Sequence, residues 1–143
     1  MSNQTARENL SRLKYIPAET LASMNGNLPG DLTIARVAQL CGSRSFKIYM
    51  LTNSQMDGVD VEELNLSVRS LHCLKRANYL TIGSLVNGID GQNDLLKIRN
   101  CGKNSAMEIM AKLFVYQYSV LPKSQEKWYM NKILEINGIQ SAV

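Results

Sequence analysis

The sequence predicts an all-α protein, a compact bundle of short helices. No segment of useful length alternates apolar and polar residues, which is the pattern of a strand with one buried face. Residues 103–118 instead place apolar side chains three and four positions apart, and the few prolines and glycines fall between such segments. A chain of 143 residues has room for one ordinary domain or two very small ones.

The composition indicates a globular protein. Apolar residues make up 45% of the chain and charged residues 20%. No apolar run approaches the roughly 20 residues that a membrane-spanning helix needs. The N-terminal residues lack the apolar stretch of a secretory signal. We therefore expect a protein of the cytosol or the nucleus with no membrane partner.

Positive charge is concentrated in the second half of the chain. Residues 69–112 contain seven Lys or Arg and three Asp or Glu, and the difference, 7 − 3 = +4, equals the net charge of the whole protein. An acidic cluster precedes this stretch and comprises Asp57, Asp60, Glu62 and Glu63. The charge permits a nucleic-acid partner without requiring one, and the acidic cluster is typical of a solvated linker.

Few residues are available for catalysis or metal binding. Cys41, Cys73 and Cys101 are widely spaced and form no C-x-x-C pair, so we expect reduced, packed thiols rather than disulfides or a zinc site. His72 is the only histidine, and it faces away from Cys73 if both lie on a helix. Since a phosphate-binding loop and a carboxylate cluster are also missing, we expect no metal, no cofactor and no enzymatic activity.

Short helices separated by turns are predicted for the first half. Leu13 and Ile16 would lie on one face of the first helix, which breaks at Pro17. The polar segment 52–58 is predicted to separate two domains, 1–56 and 57–143. The elements predicted before it are a helix over 5–24, a turn over 25–30, a helix capped by Asp31, and a short helix that begins at Ser43 or Ser45 and ends at Leu51.

The second half has clearer helix signals. Ser67 and Thr81 are typical N-cap residues, and each precedes a short stretch with apolar residues at helical spacing. In the first of these helices, Val68, Leu71 and Leu74 are predicted to face inward. The later helices are predicted over 94–98, 103–118 and 124–136.

Residues 95–105, LLKIRNCGKNS, predict a short helix, a glycine turn and a new helix start. We expect Gly102 to take a positive φ, because glycine adopts it without steric cost. The free N–H groups of residues 102–105 would then lie at a helix N-terminus, which favours a phosphate. Lys103 adds a full charge, and the Ser105 hydroxyl adds a donor. The segment resembles the helix-hairpin-helix motif of non-specific DNA-binding proteins, although an ordinary capped connection between two helices has the same local pattern.

A longer run of residues extends this resemblance. The segment 61–75, VEELNLSVRSLHCLK, is similar to the opening of the C-terminal domain of the bacterial RNA polymerase alpha subunit. Further matches follow in the order of that family. They are TIGSLV at 81–86, LLK at 95–97, GKNSAMEI at 102–109 and EKW at 126–128. The resemblance covers about residues 59–128 and implies four or five helices with two helix-hairpin-helix-like halves.

The resemblance also implies a DNA-binding face. Arg69 matches the arginine that the family inserts into the A·T-rich minor groove, where the negative potential is enhanced. The other predicted DNA-binding residues are His72, Cys73, Gly102, Lys103, Asn104, Ser105 and Glu108. Glu63 matches an acidic position that the family uses to contact sigma factor, and Glu62 beside it is predicted to join that protein contact.

The sequence departs from the family pattern in three ways. His72 stands where the family has a DNA-contacting asparagine, although histidine still donates a hydrogen bond. Asn104 replaces a second lysine of the hairpin, so we expect weaker DNA binding with a flatter salt dependence. The 143 residues leave no room for the alpha subunit's N-terminal dimerisation domain, so we expect a small protein that carries the same kind of tail domain.

Two alternatives stay open for the first half. It resembles a degenerate second copy of the domain, because residues 10–14, LSRLK, are similar to 71–75, and 41–45, CGSRS, are similar to 101–105. Chance similarity among leucine-rich helices explains the same matches. A helix-turn-helix over 33–51 is the other alternative, with a spacing one residue short.

Two classes of function are consistent with these features. The first is a DNA-binding accessory transcription protein that contacts A·T-rich duplex, and with it RNA polymerase, sigma factor or another transcription factor. It would be cytoplasmic and nucleoid-associated in a bacterial or phage-infected cell. The second is a protein-interaction adaptor that keeps the fold and has lost DNA binding, as the substitutions at His72 and Asn104 suggest. The oligomeric state is not predicted.

Overall fold

A computed structural model describes residues 13–17, 19–20, 39, 45–51 and 54–139. This part of the protein is mostly helical, as predicted, with one small two-stranded sheet. In order along the sequence the elements are β1 (Leu13–Ile16), β2 (Phe46–Tyr49), α1 (Ser54–Asp57), a 3-10 helix (Val61–Leu64), α2 (Val68–Arg76), α3 (Ile82–Gly88), α4 (Gln92–Leu95), α5 (Lys103–Ser119) and α6 (Lys123–Ile136).

The predicted N-caps of the second half are confirmed. The Ser67 hydroxyl accepts a hydrogen bond from the backbone N–H of Ser70 at the start of α2. Thr81 and Ser84 form a reciprocal capping box at the start of α3. One predicted inward residue is wrong, because Val68, the first residue of α2, is 69% exposed whereas Leu74 is buried. The helix predicted over 94–98 begins earlier, at Gln92.

The two strands correct the sequence-based prediction for the first half. Residues 13–16 and 46–49 were expected in helices, but they form an antiparallel pair with Leu13 opposite Tyr49 and Ile16 opposite Phe46. Four residues are too few for a period of two to stand out. The alternation is further concealed because one of the two inward residues of β1 is Lys14, which is 1% exposed.

Lys14 is buried because its ammonium group has a partner outside its own strand. Its Nζ donates a hydrogen bond to the carbonyl of Ile89, just after α3, at 2.6 Å. Burial lowers the pKa of Lys14, while the nearby carboxylates of Asp90 and Asp94 act in the opposite direction. The backbone N–H of Tyr15 also bonds to the carbonyl of Asp90 at 2.9 Å, so β1 is joined to the α3–α4 connection.

The sheet and the helices share one hydrophobic core. The ring of Phe46 packs on that of Phe114 with centroids 5.7 Å apart, and the buried Tyr129 donates a hydrogen bond to the carbonyl of Tyr49 at 2.7 Å. Asn137 makes two hydrogen bonds to the backbone of Lys47, each 2.9 Å long, which close the outer edge of β2. The division into 1–56 and 57–143 stays a prediction, although the described strands pack into the core of the second region.

Several predictions for the first half fall on residues outside the described ones. They include the turn over 25–30, the helix capped by Asp31, most of the proposed helix-turn-helix and the Cys41–Gly42 pair of the proposed repeat. The repeat itself stays a prediction. At the two positions that can be compared, Leu13 and Lys14 lie in a strand whereas Leu74 and Lys75 lie in α2.

None of the helices within the described ranges combines the length and the apolar character that crossing a membrane requires.

Candidate nucleic-acid interface

One face of α2 presents three basic side chains. Arg69, His72 and Arg76 follow each other at intervals of three and four residues, so they lie along one side of the helix. They reach the surface, whereas Cys73 and Leu74 are buried. The strong amphipathicity of this short helix therefore fixes which of its charges reach solvent.

These three side chains border a surface groove that Asn100 completes. The groove has a volume of about 360 Å³ and is lined by Arg69, His72, Arg76 and Asn100, which we call the α2 groove. Asn100 is in the left-handed conformation with φ 65°. Its carbonyl accepts a hydrogen bond from Cys73 Sγ at 3.4 Å, which ties the turn before α5 to α2. The lining comprises two guanidinium groups, an imidazole and an amide, with no carboxylate among the described residues.

The N-terminus of α2 is held by Glu108 of α5. Its carboxylate accepts hydrogen bonds from the Ser67 backbone N–H at 2.9 Å and the Ser67 hydroxyl at 2.8 Å, and also from the Ser70 hydroxyl. Burial raises the pKa of Glu108, but these hydrogen bonds and the charge of Lys112 together outweigh it, so the pKa is lowered. Glu108 therefore holds the start of α2, the helix that carries Arg69, and the DNA contact predicted for Glu108 stays a prediction.

Cys73, another predicted DNA-binding residue, is buried instead of exposed. Its side chain is 0% exposed, so it offers no surface to a ligand. Cys101 is also buried, and this burial, together with the neighbouring Cys73 thiol, raises the pKa of Cys101 to about 11. Both cysteines are free and buried, so the predicted packing of these two thiols is confirmed.

The glycine hairpin, residues 100–105, presents the N-terminus of α5. Ala106 donates the first helical hydrogen bond, to the Gly102 carbonyl, so the N–H groups of residues 103–105 precede the helical ladder. Lys103 and Asn104 are exposed, whereas Ser105 is 7% exposed. The positive φ expected at Gly102 is wrong, because Gly102 is extended with φ −80° and the left-handed residue of this turn is Asn100.

Gly102 nevertheless leaves open space above the hairpin. A Cβ atom at this position would meet no described atom within 4 Å. The fold of the described residues therefore does not demand glycine here. What the missing side chain provides is access to the backbone N–H groups at the start of α5.

Two basic side chains of this region are already paired with carboxylates of the protein. Lys103 Nζ lies 2.6 Å from the Glu19 carboxylate, and Lys75 Nζ lies 2.9 Å from that of Glu62. Glu62 and Glu63 are both exposed on the 3-10 helix, which Asp60 caps through its side chain. Of the two predicted protein-contact residues, Glu62 is therefore bridged to Lys75, whereas Glu63 is not.

The sequence-based prediction missed three residues of this region: Arg76, Asn100 and Glu19. The helical spacing of Arg76 from Arg69 and His72 is a signal that could have identified it. Asn100 and Glu19 carry no comparable signal, because their positions depend on contacts between elements. Among the residues that the structure describes, no group of three or more His, Cys, Asp or Glu side chains could hold a metal ion.

Comparison with known proteins confirms the resemblance. Residues 52–114 match the family model of the C-terminal domain of the bacterial RNA polymerase alpha subunit. This range contains Arg69 and the glycine hairpin but ends before the late tryptophan included in the predicted range 59–128. No solved structure matches the protein at a significant level.

The curated relatives are similar over part of the protein, and those compared below are each called "DNA-directed RNA polymerase subunit alpha". The relative from Ostreococcus tauri is 43% identical over 67 residues, which are 47% of this protein and 18% of the relative. That from Symbiobacterium thermophilum is 47% identical over 60 residues, 42% of this protein and 18% of the relative. That from Borreliella burgdorferi is 36% identical over 94 residues, 65% of this protein and 27% of the relative. The aligned part thus spans only about a quarter of these relatives' length or less.

Proposed function

We propose, on the premise that residues 52–114 match the C-terminal domain of the bacterial RNA polymerase alpha subunit, that this protein acts in transcription as a DNA-binding accessory protein. It would bind A·T-rich duplex through the minor groove and the flanking phosphates, in the nucleoid of a bacterial or phage-infected cell. The proposal assigns it a binding role and no catalytic step.

The α2 groove is the observation that carries this proposal. Two arginines, a histidine and an asparagine converge on one concave surface without a carboxylate in its described lining. The A·T-rich minor groove is narrow, and its enhanced negative potential attracts an inserted arginine. Arg69 lies in the first turn of α2, where Ser67 and Glu108 fix the helix start. Arg69 is therefore the side chain that we assign to the minor groove.

The glycine hairpin supplies the second contact of the proposal. Its backbone N–H groups lie at the positive end of α5, where a phosphate is favoured. Gly102 lets a phosphate approach closely, and Lys103 and Asn104 are exposed beside it. His72 lies in the α2 groove as a further donor. Cys73 and Ser105 are buried beneath this face, and Glu108 holds the start of α2 beside it.

The test is fluorescence anisotropy with the purified protein and labelled A·T-rich and G·C-rich duplexes at two salt concentrations. We expect tighter binding to the A·T-rich duplex and weaker binding at higher salt. Arg69→Ala should weaken binding to the A·T-rich duplex by roughly tenfold or more and remove the preference, since a specific contact is worth about 1–3 kcal/mol. Lys75→Ala is the matched control, because it removes one charge from the same helix outside the groove.

Tight binding that ignores both the base composition and Arg69 would contradict the minor-groove role. A different outcome would favour the second candidate, the protein-interaction adaptor. Its supporting observation is the exposed acidic pair Glu62 and Glu63 beside α2. If neither duplex binds at low salt while purified bacterial RNA polymerase or sigma factor does, and Glu63→Ala weakens that complex, the adaptor is the better description.

A further inference from the structure

We propose that Arg76 makes the α2 groove a phosphate-binding subsite, so that α2 carries two arginines with different tasks. Arg69 would contact the floor of the minor groove, and Arg76 would contact a backbone phosphodiester of the flanking strand. This inference rests on the proposed function and assigns a ligand to a residue that the sequence-based prediction left without a role.

The separation of the two arginines along α2 supports different tasks. Seven residues of α-helix correspond to about 10 Å along the helix axis. The minor groove of B-form DNA is about 6 Å wide. When α2 crosses the groove with Arg69 inside it, Arg76 therefore lies beyond the groove wall, where the phosphates are. Both side chains border the same concave surface, so one duplex can meet them together.

The charge of Arg76 is available for such a contact. Lys75, Lys97 and Lys103 each pair with a carboxylate of the protein. Within the described ranges, no carboxylate lies at ion-pair distance from Arg69 or Arg76. With respect to the described carboxylates, the two arginines therefore bring unpaired charge to the groove. A guanidinium suits this task because its planar donors match two phosphate oxygens at once.

A contact within the protein also orients the Arg76 side chain. Its Nη2 donates to Cys73 Sγ at 3.8 Å, at the buried side of the groove. A thiol sulfur is a weak acceptor, so this contact guides the guanidinium without saturating its five donors. The same cysteine donates a hydrogen bond to the carbonyl of Asn100 at 3.4 Å. The remaining N–H groups of Arg76 can then bind an anion in the groove.

A purely structural role for Arg76 makes a different prediction. Arg76 lies in the last turn of α2, where any cation stabilises the helix through its dipole. Lys75 occupies the same last turn and carries the same charge, but it lies outside the groove and pairs with Glu62. Arg76→Ala and Lys75→Ala are therefore a matched pair. Both remove one cation from the helix end, and only the first changes the groove.

The experiment measures the anisotropy of both duplexes over a salt series for the wild type, Arg76→Ala, Arg76→Lys and Lys75→Ala. We expect Arg76→Ala to weaken both duplexes by the same factor, roughly tenfold at low salt, and to reduce the slope of log affinity against log salt by about 0.9. The A·T preference should stay unchanged. Arg76→Lys should keep the slope, since it keeps the charge, and Lys75→Ala should leave affinity and slope near those of the wild type.

Two results would overturn the inference. One is a slope for Arg76→Ala that equals that of Lys75→Ala. Another is a loss of the A·T preference, which would make Arg76 a base-reading residue. Thermal denaturation of each variant separates loss of folding from loss of contact. If the wild type binds DNA and Arg76→Ala binds equally well, only this inference fails, whereas a wild type that binds neither duplex removes the proposed function as well.

Discussion

The α2 groove and the glycine hairpin are neighbouring parts of one surface, but they offer their positive charge differently. In the groove, Arg69 and Arg76 line a concavity without a carboxylate among the described residues. In the hairpin, Lys103 is already bridged to Glu19, and the remaining attraction comes from backbone N–H groups at the start of α5. Charge that is already paired must be released before it can bind a phosphate. We therefore expect the groove to supply more of the affinity for DNA than the hairpin.

The two regions are nevertheless mechanically linked. Glu108 belongs to α5, the helix that begins at the hairpin, and its carboxylate holds Ser67 and Ser70 at the start of α2. Cys73 of α2 in turn donates to the carbonyl of Asn100 in the hairpin. A change at either contact should affect the other region through its position rather than through its charge.

The largest effect on this comparison is expected from Glu108→Ala. The variant leaves the buried Ser70 hydroxyl without its acceptor, which should lower the free energy of unfolding by about 1–3 kcal/mol. Thermal denaturation followed by circular dichroism measures this, with Glu135→Ala on the exposed side of α6 as control. DNA affinity should fall with stability, because Arg69 loses its fixed helix start. A loss of affinity at unchanged stability would instead make Glu108 a direct DNA contact.

Because the pKa of Glu108 is lowered, the stability that its contact with the start of α2 provides should depend on pH. A carboxylate whose pKa is lower in the folded than in the unfolded state stabilises the fold at pH values above its unfolded pKa, which is 4.5 for a glutamate. This stabilisation is lost as the pH falls through the folded value. Glu108→Gln cannot titrate, so its stability relative to the wild type should be lowest near neutral pH and recover in acid. Equal pH profiles for the two proteins would contradict the assignment.

A smaller effect is expected from Gly102→Ala, which tests the hairpin alone. Its backbone has an ordinary negative φ and open space around it, so the stability should change by no more than about 0.5 kcal/mol. The added methyl group would separate a phosphate from the N–H groups, and we expect DNA affinity to fall severalfold. Gly58→Ala is the matched control, since that glycine is also exposed with open space. Unchanged DNA affinity for Gly102→Ala would remove the hairpin from the interface.

The smallest effect is expected from Glu19→Gln, which would remove the carboxylate that pairs with Lys103 of the hairpin. Releasing Lys103 from its exposed ion pair should raise DNA affinity about twofold at low salt, because such pairs are worth about 0–1 kcal/mol. The gain should disappear at high salt. Glu135→Gln removes the same charge elsewhere and serves as control. A gain of the same size in the control would reflect net charge alone.

Local patterns predicted the second half of the protein well. A serine or threonine before an apolar periodic run specifies a helix start from a few adjacent residues, so Ser67 and Thr81 were assigned correctly. The ordered motifs from 61 onward indicated the similarity to the polymerase alpha C-terminal domain, which the family match over 52–114 confirms. The helical spacing of α2 also places Arg76 on the same side as Arg69 and His72.

Contacts between distant segments decided what the sequence-based prediction missed. Whether Lys14 is inside or outside depends on the Ile89 carbonyl 75 residues away. That Glu108 holds the start of α2 depends on Ser67, which lies 41 residues before it. The positive φ occurs at Asn100 and not at Gly102. Asn100 lies in a turn that a hydrogen bond from Cys73 ties to α2.

The sequence by itself determined the helical second half, its caps, its concentration of positive charge and its similarity to the C-terminal domain of the polymerase alpha subunit. Each of these depends on neighbours within one or two helical turns, or on the order of motifs. Only the tertiary structure decided which charges are paired, which predicted contacts are buried, and that Arg69, His72, Arg76 and Asn100 share one groove. Burial and electrostatic pairing depend on the three-dimensional distance between residues, which periodicity along the sequence does not contain.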